Sequence, residues 1–199
     1  MAKAITAALV VAFVTVASAQ SRPQPAPHTP STPASGRVNP DAAAQADFQA
    51  RLERYLALRQ DLASRLKPLA PTANAAELAA RQESLAAAVR DVRKDARPGD
   101  LIPPAVAAQI TRIVRDDFRR RNPSAARAVL EEVPDSVTPA INKTLPDNAA
   151  LATMPALLLN NLPRLPDNLQ YRFVRRHIIL LDGDTRLIMD YIANVLPAH

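Results

Sequence analysis

The chain of 199 residues has no cysteine and no tryptophan, and only three histidines. Without cysteine there is no disulfide framework, no thiol nucleophile and no thiolate metal site. Aromatic residues make up 4% of the sequence, and the densest basic run holds only Phe118, read as facing inward, so there is no interleaving of aromatics for base stacking on nucleic acid. Of the histidines, His28 lies in a proline-rich stretch and His199 is the last residue, leaving His177 as the one plausible member of a folded site. A serine–histidine–aspartate arrangement would draw its serine from Ser64, Ser84, Ser124 or Ser136, none of them in a nucleophile-elbow context. Long apolar runs are also missing. The longest, Ile5 to Val16, falls short of the roughly 20 residues a membrane-spanning helix needs.

That short run follows Lys3 and ends in Ala17-Ser18-Ala19. A positive start, a brief apolar core and a small-x-small end predict a secretory signal peptide over residues 1–19, with Gln20 as the mature N-terminus and no membrane span after cleavage. No cysteine follows the apolar core, which excludes a lipoprotein anchor. Residues 20–40 carry Pro23, Pro25, Pro27, Pro30, Pro33 and Pro40 and almost no large apolar side chain, the composition of a solvated tether. The predicted location is periplasmic or secreted.

The formal net charge is +6, but it is spread along the chain. Residues 41–133 hold 16 basic and 13 acidic side chains, and residues 134–199 hold six of each. Arg112 to Arg121 ("RIVRDDFRRR") is the densest run. It reads as an anion or head-group patch, or as a solvated helix face laced by Asp116–Arg120 and Asp117–Arg121 pairs, the reading the spacing favours.

Hydrophobic spacing sets the architecture. In the helical region 41–133, Phe48, Leu52, Tyr55, Leu62, Leu66 and Leu69 fall on one face of a helix running from Asp41 to about Leu66. Asn74 with Glu77 forms a capping-box start to a second helix, whose inner face is Leu78, Leu85, Val89 and Val92. The two predict an antiparallel, coiled-coil-like hairpin. Folding the chain about the loop sets Arg59 level with Gln82, either as a polar pair in the seam or with Arg59 reaching out to water. A third helix opens at Pro103-Pro104 with Val106, Ile110, Ile113, Val114 and Phe118 inward, and a short fourth runs from Ala125 to Val133. Residues 134–168 form a proline-rich connector with one short helix over Pro155–Leu162. Residues 169–199 change period: "LQYRFV", "HIILLD" and "RLIMDYI" read as a three-strand meander. Tyr171 shares a face with Phe173, and Leu187, Met189 and Tyr191 share another. The predicted fold class is α+β, a helical hairpin and further helices followed by a small antiparallel β meander.

Asp182 and Asp184 flank Gly183, a pattern open to a divalent cation but explained by turn chemistry. Asn142-Lys143-Thr144 matches a glycosylation sequon, discounted because the signal segment has a bacterial character. No catalytic, cofactor-binding or metal-ligating residue is assigned.

The segment "ALLLNNLPRLPDNLQYRFVRRHIILLDGDTRLIMDYI", residues 156–192, resembles the C-terminal unit of small exported bacterial proteins with a Y-R-x-V strand. It is distantly similar to the tail of the periplasmic RcnB-like family, linked to nickel and cobalt homeostasis. The resemblance implies an envelope location and a β tail, and transfers no functional residue. The function expected is therefore a non-enzymatic envelope interaction or adaptor protein with a protein partner and no nucleic acid. The rivals are an accessory role in metal-ion homeostasis and a hydrolase using His177.

Overall fold

The computed structural model describes residues 39–70, 74–133, 137–146 and 154–197. The expected signal peptide and nearly all of the tether lie outside the described residues. The described residues form one compact unit. Its elements are α1 (Pro40–Ser64), α2 (Ala75–Val92), α3 (Pro104–Arg120), α4 (Pro123–Glu131), α5 (Ala156–Leu159), β1 (Leu169–Val174), β2 (His177–Asp182) and β3 (Ile188–Ile192). The fold is α+β, with the antiparallel meander β1-β2-β3 after the helices.

Local sequence chemistry starts the helices. Asn39 accepts the Asp41 N–H, with Pro40 preset for the first turn. At α2 both halves of the capping box form: Asn74 Oδ1 accepts the Glu77 N–H at 3.0 Å, and Glu77 accepts the Asn74 N–H at 3.1 Å. Replacing Asn74 by alanine should lower stability by about 1 kcal/mol, read as a shift of the denaturation midpoint at constant slope. Asn122 caps α4 in the same manner, taking the Ala125 N–H at 2.8 Å.

The helices and one face of the sheet share a single core. Phe48, Leu52 and Tyr55 of α1 join Leu85 and Val89 of α2, Val106, Ile110, Val114 and Phe118 of α3, and Tyr171, Phe173, Ile178 and Leu180 of the sheet. Phe118 meets Phe173 edge to face at 6.3 Å. Leu158 and Leu162 belong to the same core, so the connector helps to close the face together with the helices. The expected inner faces hold at their centres and fail at their ends. Leu69, Leu78 and Val92 are exposed, and Ile113 is partly buried.

A second, smaller cluster of Val137, Leu145, Val174, Ile179, Leu181 and Ile188 covers the opposite face. β2 is thus buried on both sides, which is why "IILL" (residues 178–181) is continuously apolar instead of alternating. The connector does more than the sequence suggested. Ile188 exchanges backbone bonds with Asn142 (2.8 Å) and Lys143 (3.0 Å), and Leu145 donates to Arg186 at 2.8 Å, so residues 142–145 cover the outer edge of β3. The short helix of the connector is a single turn, Ala156–Leu159, narrower than the predicted Pro155–Leu162.

One face assignment is corrected. Leu180 pairs with Asp190 while Leu181 pairs with Ile188, leaving Met189 as an extra residue, a β-bulge. The bulge sets Met189 and Asp190 on the helix side together and shifts the alternation. Leu187 and Met189 therefore belong to the main core, whereas Tyr191 packs on the opposite face beside Ile179.

Candidate functional site

Three regions hold the polar chemistry of the described residues: two buried aspartates under the helices, the basic run on α3, and the outer edge of β1.

Asp190, turned inward by the bulge, is fully buried. Its carboxylate accepts the N–H groups of Gly99 (3.0 Å), Leu101 (2.9 Å) and Ile102 (2.8 Å) in the α2–α3 loop, and its own neighbour Tyr191 (2.8 Å). Sequence reasoning missed it. The one available signal was a lone acid in an apolar strand.

Asp182 closes β2 and is equally buried. It accepts the Tyr55 hydroxyl, Arg59 Nε at 2.9 Å, and the backbone N–H of Asp184 (3.0 Å) and Thr185 (3.1 Å). Arg59 also grips Asp184, which takes the Asn168 amide at 3.2 Å. Burial, reinforced by the Asp182 carboxylate, pushes the Tyr55 hydroxyl far above its ordinary pKa, so it stays a donor. Arg93 lies over the Tyr55 ring at 5.5 Å and donates to the Met189 carbonyl at 3.0 Å; burial lowers its pKa. The predicted meeting of Arg59 with Gln82 does not occur. Gln82 is exposed, and Arg59 turns to the β2–β3 turn because α1 faces the sheet as well as α2.

That turn uses its glycine differently from the expectation. The left-handed residue is Arg186 (φ 56°). A Cβ on Gly183 would lie 3.1 Å from the side-chain amide nitrogen of Gln170, which would have to shift by a few tenths of an ångström. The oxygens of Asp182 are taken up by protein donors, and among the described residues no group of three or more His, Asp or Glu side chains could hold a metal ion.

His177 begins β2, with its ring edge-on to Tyr191 at 6.1 Å. Its Nδ1 accepts the Asn194 N–H at 3.3 Å. Ser64, Ser84 and Ser124 donate to Asp61, Ala80 and Asn122, and Ser136 lies outside the described residues. Burial, then Arg175 and Arg176, lower the imidazole pKa below its ordinary 6.5. The unfolded chain therefore takes up this proton first as pH falls through 6.5, and stability declines on the acid side. His177→Gln should flatten the melting temperature between about pH 7 and 5 relative to the parent.

On α3, Asp117 pairs with Arg121 as expected, but Asp116 pairs with Arg119, and Arg120 reaches the Asp116 carbonyl at 3.2 Å. A hollow of about 440 Å³ beside this run is bounded by Arg115, Arg119, Arg176 and Phe118. Its three guanidinium groups already donate to Asn194, Asp116 and Leu196. Asn142, of the sequon, is also engaged, donating to the Arg93 carbonyl at 2.6 Å.

The β1 edge differs. Along an antiparallel pair, residues alternate between bonding inward and presenting their N–H and C=O outward. The Asp182 N–H goes to Leu187 on the β3 side, and the Gly183 N–H goes to Asn168 on the β1 side. With Leu169 opposite Asp182 and Tyr171 opposite Leu180, this parity turns the backbone groups of Leu169, Tyr171 and Phe173 toward the outer edge. Leu169 donates to Pro166 at 2.9 Å, and Tyr171 and Phe173, 2% and 0% exposed, are covered along this edge. A groove of about 640 Å³ lies here, between residues 159–167 and the first half of β1. Tyr171 and Arg172 line it, and the buried Tyr171 hydroxyl and Arg172 Nε have no hydrogen-bond partner. Leu157 and Leu159 stand exposed close by in sequence, Leu157 at 76%.

No family model, curated protein or solved structure matches the chain.

Proposed function

We propose that the protein is an exported envelope adaptor that works by binding another protein and performs no catalysis of its own. Leu157 and Leu159, exposed on α5, and the groove of about 640 Å³ that Leu159 shares with Tyr171 and Arg172 carry this reading. Exposed apolar side chains beside a groove with polar lining are a surface that a binding partner would cover. Export is supported by Lys3, the short apolar run and Ala17-Ser18-Ala19. Among the described residues no helix is long and apolar enough to cross a membrane.

Fractionation of cells expressing the full chain, mass spectrometry of its N-terminus and chemical crosslinking in the envelope fraction test the reading together. The expected result is a chain starting at Gln20 and crosslinked to one reproducible envelope protein. An intact Met1 on membrane-bound material, or no crosslinked partner, would overturn it.

A further inference from the structure

We infer that the hollow beside the C-terminal half of α3 binds a small amphiphilic anion, an oxyanion head carried on an aliphatic body. The site shares no residue with the groove beside β1 and goes beyond the adaptor reading.

Separate parts of the chain build it. Arg115 and Arg119, one turn apart on α3, form one rim, and Arg176 of the β1–β2 turn forms another. Phe118 and Leu196 are buried and make the floor, and Pro197 adds a wall. The three arginines and Pro197 are exposed, so the hollow opens to solvent. Its volume of about 440 Å³ falls in the range of small-molecule sites, about 300–1,000 Å³.

Charge selects the ligand. No acidic side chain lines the hollow. Arg119 is paired with Asp116, but Arg115 and Arg176 have no ion-pair partner among the described residues. A backbone carbonyl holds each of them: Arg115 Nη2 donates to Asn194 and Arg176 Nε to Leu196, both at 3.3 Å. A guanidinium carries five N–H donors, so one bond fixes it and leaves others for an oxyanion. A cleft lined by charge of one sign concentrates counter-ions, and here no carboxylate in the lining competes. A bare inorganic ion would leave the apolar floor and the aliphatic stems of the arginines uncovered, whereas an aliphatic body covers them. A bilayer surface is the poorer fit. None of the exposed large apolar side chains, Leu69, Leu78, Val92, Leu157 and Leu159, lines this hollow, so none would insert there.

Calorimetry with the purified protein and decanoate tests the site. Acetate supplies the head without a body, and decyltrimethylammonium the body with the opposite charge. Decanoate should bind at one site per chain, and each control should bind about tenfold more weakly or not at all. Arg115→Gln and Arg176→Gln should each weaken decanoate about fivefold, with melting curves run alongside to confirm that both variants are folded. Arg54→Gln, which removes an exposed charge outside the hollow, should leave the affinity unchanged. No saturable heat at millimolar decanoate, equal binding of either control, or unchanged affinity in both rim variants overturns the inference. So does equal weakening by Arg54→Gln, which would make the effect one of net charge alone. Cosedimentation with phosphatidylglycerol vesicles in the absence of decanoate binding also overturns it, and would make the arginines a membrane-docking patch. An envelope partner recovered by crosslinking while decanoate fails to bind would sink this inference alone and leave the adaptor reading standing.

Discussion

Replacing Asp190 by alanine should cost about 3–5 kcal/mol of stability, enough to unfold a large fraction of a marginal domain at physiological temperature. The carboxylate accepts N–H groups from Gly99, Leu101 and Ile102, and Leu101 and Ile102 are themselves buried. Truncation leaves these donors facing an apolar cavity, and each buried donor left unsatisfied costs about 1–3 kcal/mol. Asparagine should rescue only part of the loss, because one of its two polar ends is itself a donor and opposes the loop amides. The consequence reaches beyond the loop. Asp190 ties the start of α3 to the sheet, and α3 carries Phe118 onto Phe173, so proteolysis in the loop around Gly99 should rise before global unfolding. Urea denaturation of both variants measures the effect. A change under about 1 kcal/mol for alanine would mean that water replaces the carboxylate there, and the anchoring role would be lost.

What the sequence disclosed divides by range. Helix starts were legible because their chemistry is local: Asn74 and Glu77 sit three residues apart and complete each other without help from the rest of the chain. Strand limits were legible for the same reason, since Arg175-Arg176 and the Asp182–Arg186 turn break the apolar pattern where the chain reverses. The bulge at Met189 was not, because a run such as "LIMDYI" carries the same alternation with or without an extra residue. A one-residue slip moves every later side chain to the other face, which is how Tyr191 left the face of Leu187. The cover on β3 and the groove beside β1 arise from packing between distant segments, so the groove at Tyr171 had no signature in the strand's own residues. Leu78 and Val92 were assigned inward by spacing alone, yet they fall at the ends of α2, where there is nothing to bury them.

Arg59 shows most clearly how a two-helix calculation fails in a three-layer environment, and it leads to the second large effect. If the hairpin seam were its home, replacing Arg59 and Gln82 together by leucine would raise the melting temperature. The structure reverses the sign. Arg59 Nε lies 2.9 Å from Asp182, whose side chain has no exposed surface, and the same guanidinium holds Asp184. Removing the cation leaves a buried carboxylate supported by the Tyr55 hydroxyl and two turn amides, and breaking a buried pair from one side costs about 3–5 kcal/mol. The surviving donors put Arg59→Leu near the lower end of that range. Gln82→Leu, on an exposed face, should stay within about 0.5 kcal/mol. Lysine at position 59 keeps the charge but lacks the fork that spans two aspartates, so it should recover only part of the loss. Two double-mutant cycles separate the alternatives. Arg59 with Asp182→Asn should show coupling on the order of 2 kcal/mol, and Arg59 with Gln82 should show none. Coupling between 59 and 82, with 59 and 182 additive, would move Arg59 back into the helical seam and leave Asp182 held by Tyr55 and the turn alone.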